Sequence, residues 1–175
     1  CAAPGSCYIT RLVLGEAGTG KTSLISCLLG RLNASDQAVV VTCAAAARTH
    51  LLRETCRGFH VGLRHREDLA HRLERLRRRL VHAREANHGA LLIVDQVENL
   101  APANLTELTA LCDLQDHRGK LLSIVLLAQP RFRSMLRNSA FAGLQQRLLA
   151  ERTLAPLNIA RTHEYIRHRL SIAGA

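Results

Sequence analysis

The segment from Gly15 to Thr22, GEAGTGKT, constrains the fold of this chain more than any other part of it. It fits the pattern G-x-x-x-x-G-K-[ST] and stands between an apolar run and a stretch of helical period, where a phosphate-binding P-loop occurs. Glycines let such a backbone curl until consecutive N–H groups point at phosphate oxygens, and the following helix adds the positive end of its dipole. The segment therefore predicts a nucleotide-binding α/β domain.

This loop carries most of the predicted site. We expect the Lys21 ammonium to contact the β and γ phosphates and the Thr22 hydroxyl to bind a magnesium ion. ATP and Mg²⁺ are thus the predicted cofactors. The residues expected to contact the nucleotide are Gly15, Glu16, Ala17, Gly18, Thr19, Gly20, Lys21, Thr22 and Ser23.

A second motif is the apolar run from Ala90 to Asp95, ALLIVD, which ends on a carboxylate. Open α/β sheets bind their ligands at the carboxyl ends of the strands. Asp95 is therefore the predicted Walker B aspartate, which holds the magnesium ion together with Thr22.

Apolar runs of strand length alternate with stretches of helical period along the 175 residues, which is typical of a parallel sheet with crossover helices. The predicted strands are Tyr8 to Leu14, Ala38 to Cys43, Ala90 to Asp95, Leu121 to Ala128 and Arg152 to Leu157. The predicted helices are Lys21 to Leu32, Ala45 to Cys56, Asp68 to Asn87, Ala103 to Gln115 and Ile159 to Ile172. We expect residues 1–158 to form one three-layer core and residues 159–175 to begin a helical lid.

The predicted helix from Asp68 to Asn87 carries leucines at positions 69, 73, 76 and 80, which line one face and indicate core packing. Asn87, His88 and Gly89 should end this helix, with Gly89 in the left-handed conformation that such endings favour.

The chain is strongly basic, with a formal charge of +10, and eleven of its 22 arginines fall between Arg48 and Arg84. Such a field attracts polyanions, so DNA is an alternative partner, although a solvated helix face explains the same charges. The six cysteines have no metal-site or disulfide spacing, which favours a reducing cytoplasm. The apolar runs are shorter than the about 20 residues needed to cross a bilayer.

The motifs GEAGTGKT, LLIVDQVENL, LLSIVLLAQPRFRSML and LAPLNIARTHEYIRHRLSIAGA together resemble the ATPase domain of the general secretion pathway protein A family, the ExeA-like branch of AAA+ ATPases. The resemblance covers nearly the whole chain. It implies strand order 5-1-4-3-2, Mg-ATP, and action in a homo-oligomer or with envelope proteins at the cytoplasmic face of the bacterial inner membrane. It also implies that Gln129 senses the γ phosphate and that Arg147 reaches a neighbouring subunit's nucleotide. A surface charge is the alternative for Arg147.

The chain departs from this family after its Walker B strand, where the family reads DEAQN and residues 95–99 read DQVEN. Gln96 occupies the place of the water-activating glutamate. An amide can hold a water but cannot accept its proton, and a missing general base costs about 10² to 10⁴ in rate. We therefore predict tight ATP binding with slow hydrolysis. Glu98 is the alternative base if the chain turns back.

Three functions are compatible with these features. The first is an ATP-driven motor or switch in envelope or secretion assembly. The second is a DNA-associated helper ATPase of the transposition type, and the third is a nucleotide-bound scaffold that no longer cycles.

Overall fold

The computed structural model describes residues 10–43, 50–64, 67–172 and 174. The elements in chain order are β1 Thr10–Gly15, α1 Lys21–Leu29, β2 Gln37–Thr42, α2 Leu51–Gly58, α3 Leu69–Glu85, β3 Ala90–Asp95, α4 Pro102–Cys112, β4 Gln115–Asp116, β5 Gly119–Lys120, β6 Ser123–Ala128, α5 Arg131–Met135, α6 Ala142–Gln145, β7 Leu148–Leu154 and α7 Ile159–Ile172. Short 3₁₀ turns lie at Val97–Asn99 and Ser139–Phe141.

Five strands form one sheet in the order β2-β3-β6-β1-β7, and all four neighbouring pairs are parallel. Counted along the chain without the small β4–β5 hairpin, this is the predicted order 5-1-4-3-2. The α/β fold class is therefore confirmed.

The central strands are apolar because both of their faces are covered. In β3, the side chains of Leu92, Ile93 and Val94 are fully buried, as are Ile124 and Leu126 in β6. The sheet thus holds the carboxyl ends of β1, β3 and β6 side by side in a rigid layer.

Asp68 caps the start of helix α3, and its Oδ1 accepts a hydrogen bond from the His71 N–H at 2.8 Å. Leu76 and Leu80 are buried, whereas Leu69 at the start of the helix is 36% exposed. Leu73 is partly buried and packs against the same core, so the leucine stripe packs into the core from Leu73 onward.

The end of α3 corrects one prediction. Asn87, with φ 58°, takes the left-handed conformation, and the His88 N–H bonds to the Ala83 carbonyl at 2.8 Å. Gly89 is not one of the described glycines that have a positive φ. A glycine suits its position for another reason: the Gly89 N–H donates to Asp36 Oδ1 at 2.6 Å, and a Cβ there would lie 2.8 Å from the same oxygen.

The fifth strand of the sheet also differs from its prediction, since β7 runs from Leu148 to Leu154 rather than from Arg152 to Leu157. Pairing with β1 begins at Leu148 and ends with Leu154 opposite Gly15. Polar residues 151–153 concealed the strand because they stand on the exposed edge of the sheet.

Other boundaries shift by a few residues. Helix α4 begins at Pro102 as the first helical residue but ends at Cys112 rather than Gln115, because the β4–β5 hairpin follows. The hairpin is tied to α3 by the 2.6 Å ion pair between Arg84 and Asp116.

Parts of two predictions fall where the structure is not described. Tyr8 and Ile9 of the first predicted strand, and residues 45–49 of the second predicted helix, lie outside the described residues. The division between core and lid after residue 158 stays a prediction. No helix in the described ranges is long and apolar enough to cross a membrane.

Candidate nucleotide-binding site

The loop between β1 and α1 is shaped by its glycines. Gly18 and Gly20 have φ of 79° and 89°, a left-handed region that side chains with a Cβ disfavour. At Gly15 the restriction is steric, because a Cβ would lie 2.5 Å from Thr19 Oγ1. That hydroxyl donates to the Glu16 carbonyl at 2.8 Å, so the loop closes on itself.

Lys21 is the first residue of α1, and its side chain folds back beneath the loop. Its Nζ donates to the Gly15 carbonyl at 2.6 Å and to the Glu16 carbonyl at 2.8 Å. An ammonium carries three N–H donors, so one remains for a ligand.

A cavity of about 400 Å³ opens over this loop. It is lined by Ala17, Gly18, Gly20, Lys21, Thr22, Asp95, Gln96, Glu98 and Gln129. The structure thus brings the loop together with the polar residues that follow β3 and β6. Four predicted loop residues do not line the cavity, namely Gly15, Glu16, Thr19 and Ser23.

Asp95 ends β3 and is buried, with 8% of its surface exposed. Burial raises the pKa of this carboxyl, and the nearby Glu98 acts in the same direction. The Gln96 N–H, 2.9 Å from Asp95 Oδ1, and the charge of Lys21 oppose that rise in pKa. A carboxylate and the Thr22 hydroxyl in one cavity are oxygen ligands of the kind that Mg²⁺ takes together with phosphates, so these residues fit the expected ion.

After Asp95 the chain turns back on itself. Gln96 has a left-handed backbone, φ 59°, and the 3₁₀ turn of residues 97–99 follows it. Asn99 Nδ2 donates to the Cys43 carbonyl at 3.0 Å and to Gln96 Oε1 at 3.3 Å. This turn places both Gln96 and Glu98 at the cavity.

Glu98 is also deeply buried, since its side chain is 1% exposed. Its Oε1 lies 4.0 Å from Arg131 Nη2. Its Oε2 is buried and has no hydrogen-bond partner within the described part of the chain.

Arg131 and Asn99 do not line the cavity but contact residues that do, and the sequence did not single them out. Arg131 Nη2 donates to Asn99 Oδ1 at 2.9 Å, which joins the start of α5 to the turn after β3. The available signal was their position beside the motif residues Asp95 and Gln129, but their contact is tertiary.

The remaining two predicted residues have different surroundings. Gln129 follows β6 and lines the cavity. Arg147 does not line it; its Nε and Nη2 donate to the two carboxylate oxygens of Asp113 at 2.8 and 2.6 Å. Its Nη1 donates to the Gly143 carbonyl at 2.6 Å. The proposed action of Arg147 on a neighbouring subunit stays a prediction.

A second, larger cavity of about 840 Å³ lies between α2, the segment after it and α3. It is lined by His50, Arg53, Arg57, His60, Val61, Gly62, Leu63, Arg64 and Arg72. No acidic side chain lines it among the residues that the structure describes. By contrast, Arg77 and Arg78 on α3 both bind Glu74, and their hydrogen bonds lower the pKa of Glu74 to about 2. Four arginines of the basic region, Arg53, Arg57, Arg64 and Arg72, thus line this cavity, and of these Arg57 is paired with Glu54 at 3.7 Å.

A glycine-rich loop between β1 and α1, with a carboxylate at the end of β3, defines a P-loop nucleotide-binding domain. The model of the AAA domain family matches residues 10–136, and the chain belongs to that family. It is also 31% identical over 163 residues to general secretion pathway protein A of Aeromonas hydrophila. That alignment covers 93% of the chain and 30% of the relative, so the chain spans less than a third of that protein's length.

Solved structures show the same fold. The ADP form of the Aeropyrum pernix ORC2 protein matches with a TM-score of 0.69 and 17% identity, over 96% of this chain and 47% of that one. Drosophila ORC bound to DNA matches with a TM-score of 0.66 and 22% identity, over 93% of this chain and 42% of that one. At these identities the likeness extends to the fold alone.

Proposed function

We propose that this domain binds Mg-ATP over the loop and hydrolyses it slowly. One observation carries the proposal: Gly18, Gly20, Lys21, Thr22 and Asp95 line a single cavity at the carboxyl edge of the sheet. Membership of the AAA domain family supports a nucleotide as the ligand.

Each predicted site residue has a role in this proposal. The backbone N–H groups of residues 17–22 and the ammonium of Lys21 hold the phosphates, while Thr22 and Asp95 hold the Mg²⁺ ion that neutralises their charge. Gln129 contacts the γ phosphate. Arg147 reaches the nucleotide of a neighbouring subunit after it leaves Asp113.

Slow hydrolysis follows from Gln96, whose amide cannot accept a proton from water. Replacing Gln96 with Glu should raise the turnover, because a carboxylate at this position can accept a proton and the amide cannot. The affinity for Mg-ADP should not change. Phosphate release and calorimetric titration of the two proteins measure both quantities. Turnover typical of active AAA ATPases, unaffected by Gln96→Glu, would contradict the proposal, and binding without any phosphate release would favour a scaffold.

The cellular role that we propose is in a bacterial secretion or envelope assembly, at the cytoplasmic face of the inner membrane, with envelope proteins or further copies of the chain as partners. The relative named general secretion pathway protein A supports this role. Pull-down of the full-length protein from membrane fractions tests it, and recovery with nucleoid components alone would oppose it.

The larger cavity, which is lined by arginines and histidines of α2, α3 and the segment after α2, favours a second candidate function, a DNA-associated ATPase. Its arginines and histidines form a concave surface suited to a phosphodiester backbone. Duplex DNA should bind there, and the logarithm of the binding constant should fall linearly with the logarithm of the salt concentration. The variant Arg53→Glu/Arg57→Glu should lose this binding, and Arg31→Glu/Arg152→Glu, with the same charge change at exposed positions, should lose far less. Fluorescence anisotropy of labelled duplexes measures this, and no binding at low salt would end this candidate.

A further inference from the structure

Glu98 stands out among the titratable side chains that the structure describes. Its side chain is 1% exposed, its ion-pair partner Arg131 lies 4.0 Å away, and its Oε2 has no hydrogen-bond partner within the described residues. Burial of a carboxylate with incomplete pairing is unfavourable. Stability therefore does not explain this residue, and its place in the lining of the phosphate cavity points to a role toward a ligand.

The neighbouring polar groups are less suited to accept a proton. Asp95 Oδ1 already accepts the Gln96 N–H, and the carboxylate of Asp95 is proposed to bind Mg²⁺. Gln96 is an amide, and its Oε1 accepts a hydrogen bond from Asn99 Nδ2. Of the two carboxylates that line the cavity within the described residues, Glu98 is the one with a buried oxygen that lacks a hydrogen-bond partner.

Positions 96 and 98 reach the same cavity. The left-handed backbone of Gln96 and the 3₁₀ turn after it bring the amide of residue 96 and the carboxylate of residue 98 into its lining. The two side chains can therefore be exchanged by mutation with one carboxylate and one amide kept in the site.

We propose that Glu98 is the catalytic residue that accepts a proton from the attacking water during ATP hydrolysis. The inference rests on the proposed function of the loop. In this step a water O–H bond breaks and its proton goes to Glu98 Oε2, while the water oxygen bonds to the γ phosphorus. The bond from the γ phosphorus to the bridging oxygen breaks and its electron pair leaves with ADP, after which Glu98 releases its proton to solvent or phosphate.

Arg131 is a positioning residue for this step. Its Nη2 donates to Asn99 Oδ1 at 2.9 Å and lies 4.0 Å from Glu98 Oε1. The guanidinium therefore holds the turn and attracts one carboxylate oxygen of Glu98, and the other oxygen has no hydrogen-bond partner within the described residues.

The test compares wild type with Glu98→Gln and with the exchanged variant Gln96→Glu/Glu98→Gln. Single-turnover phosphate release should fall by about 10² to 10⁴ in Glu98→Gln, the range for loss of a general base. It should return to at least the wild-type rate in the exchanged variant. The calorimetric affinity for Mg-ADP should stay unchanged in all three proteins. Glu85→Gln, the same change at an exposed helix end, is the matched control and should behave as wild type.

Several results would overturn the inference. The first is a rate of phosphate release in Glu98→Gln that equals the wild-type rate, and the second is no phosphate release by wild type above the buffer control. The third is a loss of Mg-dependent affinity for ADP in Glu98→Gln that parallels the loss of rate, which would make Glu98 a metal ligand. If Glu98→Gln does not fold, Glu98→Asp is the second variant, since it keeps a carboxylate one methylene further back. Phosphate release should be slower in Glu98→Asp, while its affinity for Mg-ADP stays unchanged. A wild-type rate of phosphate release in this variant would overturn the inference. Failure of wild type to bind Mg-ADP would instead refute the proposed function.

Discussion

Removing the ammonium of Lys21 should weaken nucleotide binding by an amount that the structure allows us to work out. Two of its three N–H donors are held by the Gly15 and Glu16 carbonyls at 2.6 and 2.8 Å, which leaves one for a phosphate oxygen. A hydrogen bond involving a charged group contributes about 1.5 to 3 kcal/mol. Lys21→Ala should therefore raise the Kd for Mg-ADP by roughly 10- to 150-fold.

The same change can be followed through protein stability, because a ligand that binds only the native state stabilises it by RT ln(1 + [L]/Kd). At a ligand concentration of 100 wild-type Kd this stabilisation is about 2.7 kcal/mol. With the weakened affinity it should fall to about 0.3 to 1.4 kcal/mol at the same concentration. Urea unfolding of the variant with and without Mg-ADP measures the difference, and calorimetry measures Kd directly.

The chain supplies a matched control, since Lys120 is its other lysine. Lys120 lies on β5, 3.4 Å from Asp113, and does not line the cavity. Lys120→Ala should leave the affinity for Mg-ADP at the wild-type value. Equal affinities for Lys21→Ala and wild type, or equal losses in the two lysine variants, would refute the reasoning.

Three further predictions concern the loop, an ion pair and a thiol. Gly20→Ala should lower the free energy of unfolding by about 1 to 2 kcal/mol in urea, because φ of 89° is unfavourable for a residue with a Cβ. Hydrogen bonds from Arg147 hold the pKa of Asp113 below its ordinary value of 3.8. The ion pair therefore stabilises the fold fully above pH 3.8, and this stabilisation is lost as the pH falls through the lower pKa of Asp113 in the native protein. Wild type should thus exceed Asp113→Asn in stability by under about 1 kcal/mol near pH 7, and the gap should close in acid. Burial raises the pKa of Cys43 to about 11, so iodoacetamide at pH 8 should leave this thiol unmodified in the native protein, as read by peptide mass mapping.

Each of these predictions has its own control. Gly30 has φ of −68°, so Gly30→Ala should not destabilise the protein in the same way; equal losses would show that the Gly20 conformation is not the cause. For the ion pair, a gap between wild type and Asp113→Asn that widens in acid would contradict the assigned pKa direction. Cys27 is exposed and should be alkylated readily, and faster alkylation of Cys43 than of Cys27 would show that the fold does not protect that thiol.

Local signals were sufficient to predict the strands that carry the site, whereas the strand order came from the family resemblance and the bounds of the edge strand β7 were wrong. A P-loop pattern between a strand and a helix, and an apolar run ending in Asp95, specify the carboxyl ends of two strands that the parallel order places at one edge. The lining of the cavity by Lys21, Thr22 and Asp95 follows from that geometry.

What the sequence could not specify depends on tertiary contacts or on unusual backbone. The left-handed conformation of Gln96 is uncommon for a residue with a side chain. The sequence therefore offered the turn that brings Glu98 to the cavity only as an alternative. The approach of Arg131 to that turn joins segments 32 residues apart. Likewise, the residue with a left-handed backbone after α3 is Asn87. The glycine at position 89 instead allows a close contact with Asp36.

An experimental structure with Mg²⁺ and a non-hydrolysable ATP analogue at saturating concentration tests the central claim most directly. We expect the triphosphate against the N–H groups of residues 17–22, the ion between Thr22 and Asp95, and the Lys21 ammonium in contact with a phosphate oxygen. An analogue bound elsewhere on the molecule, or a loop without phosphate density at saturation, would contradict the account.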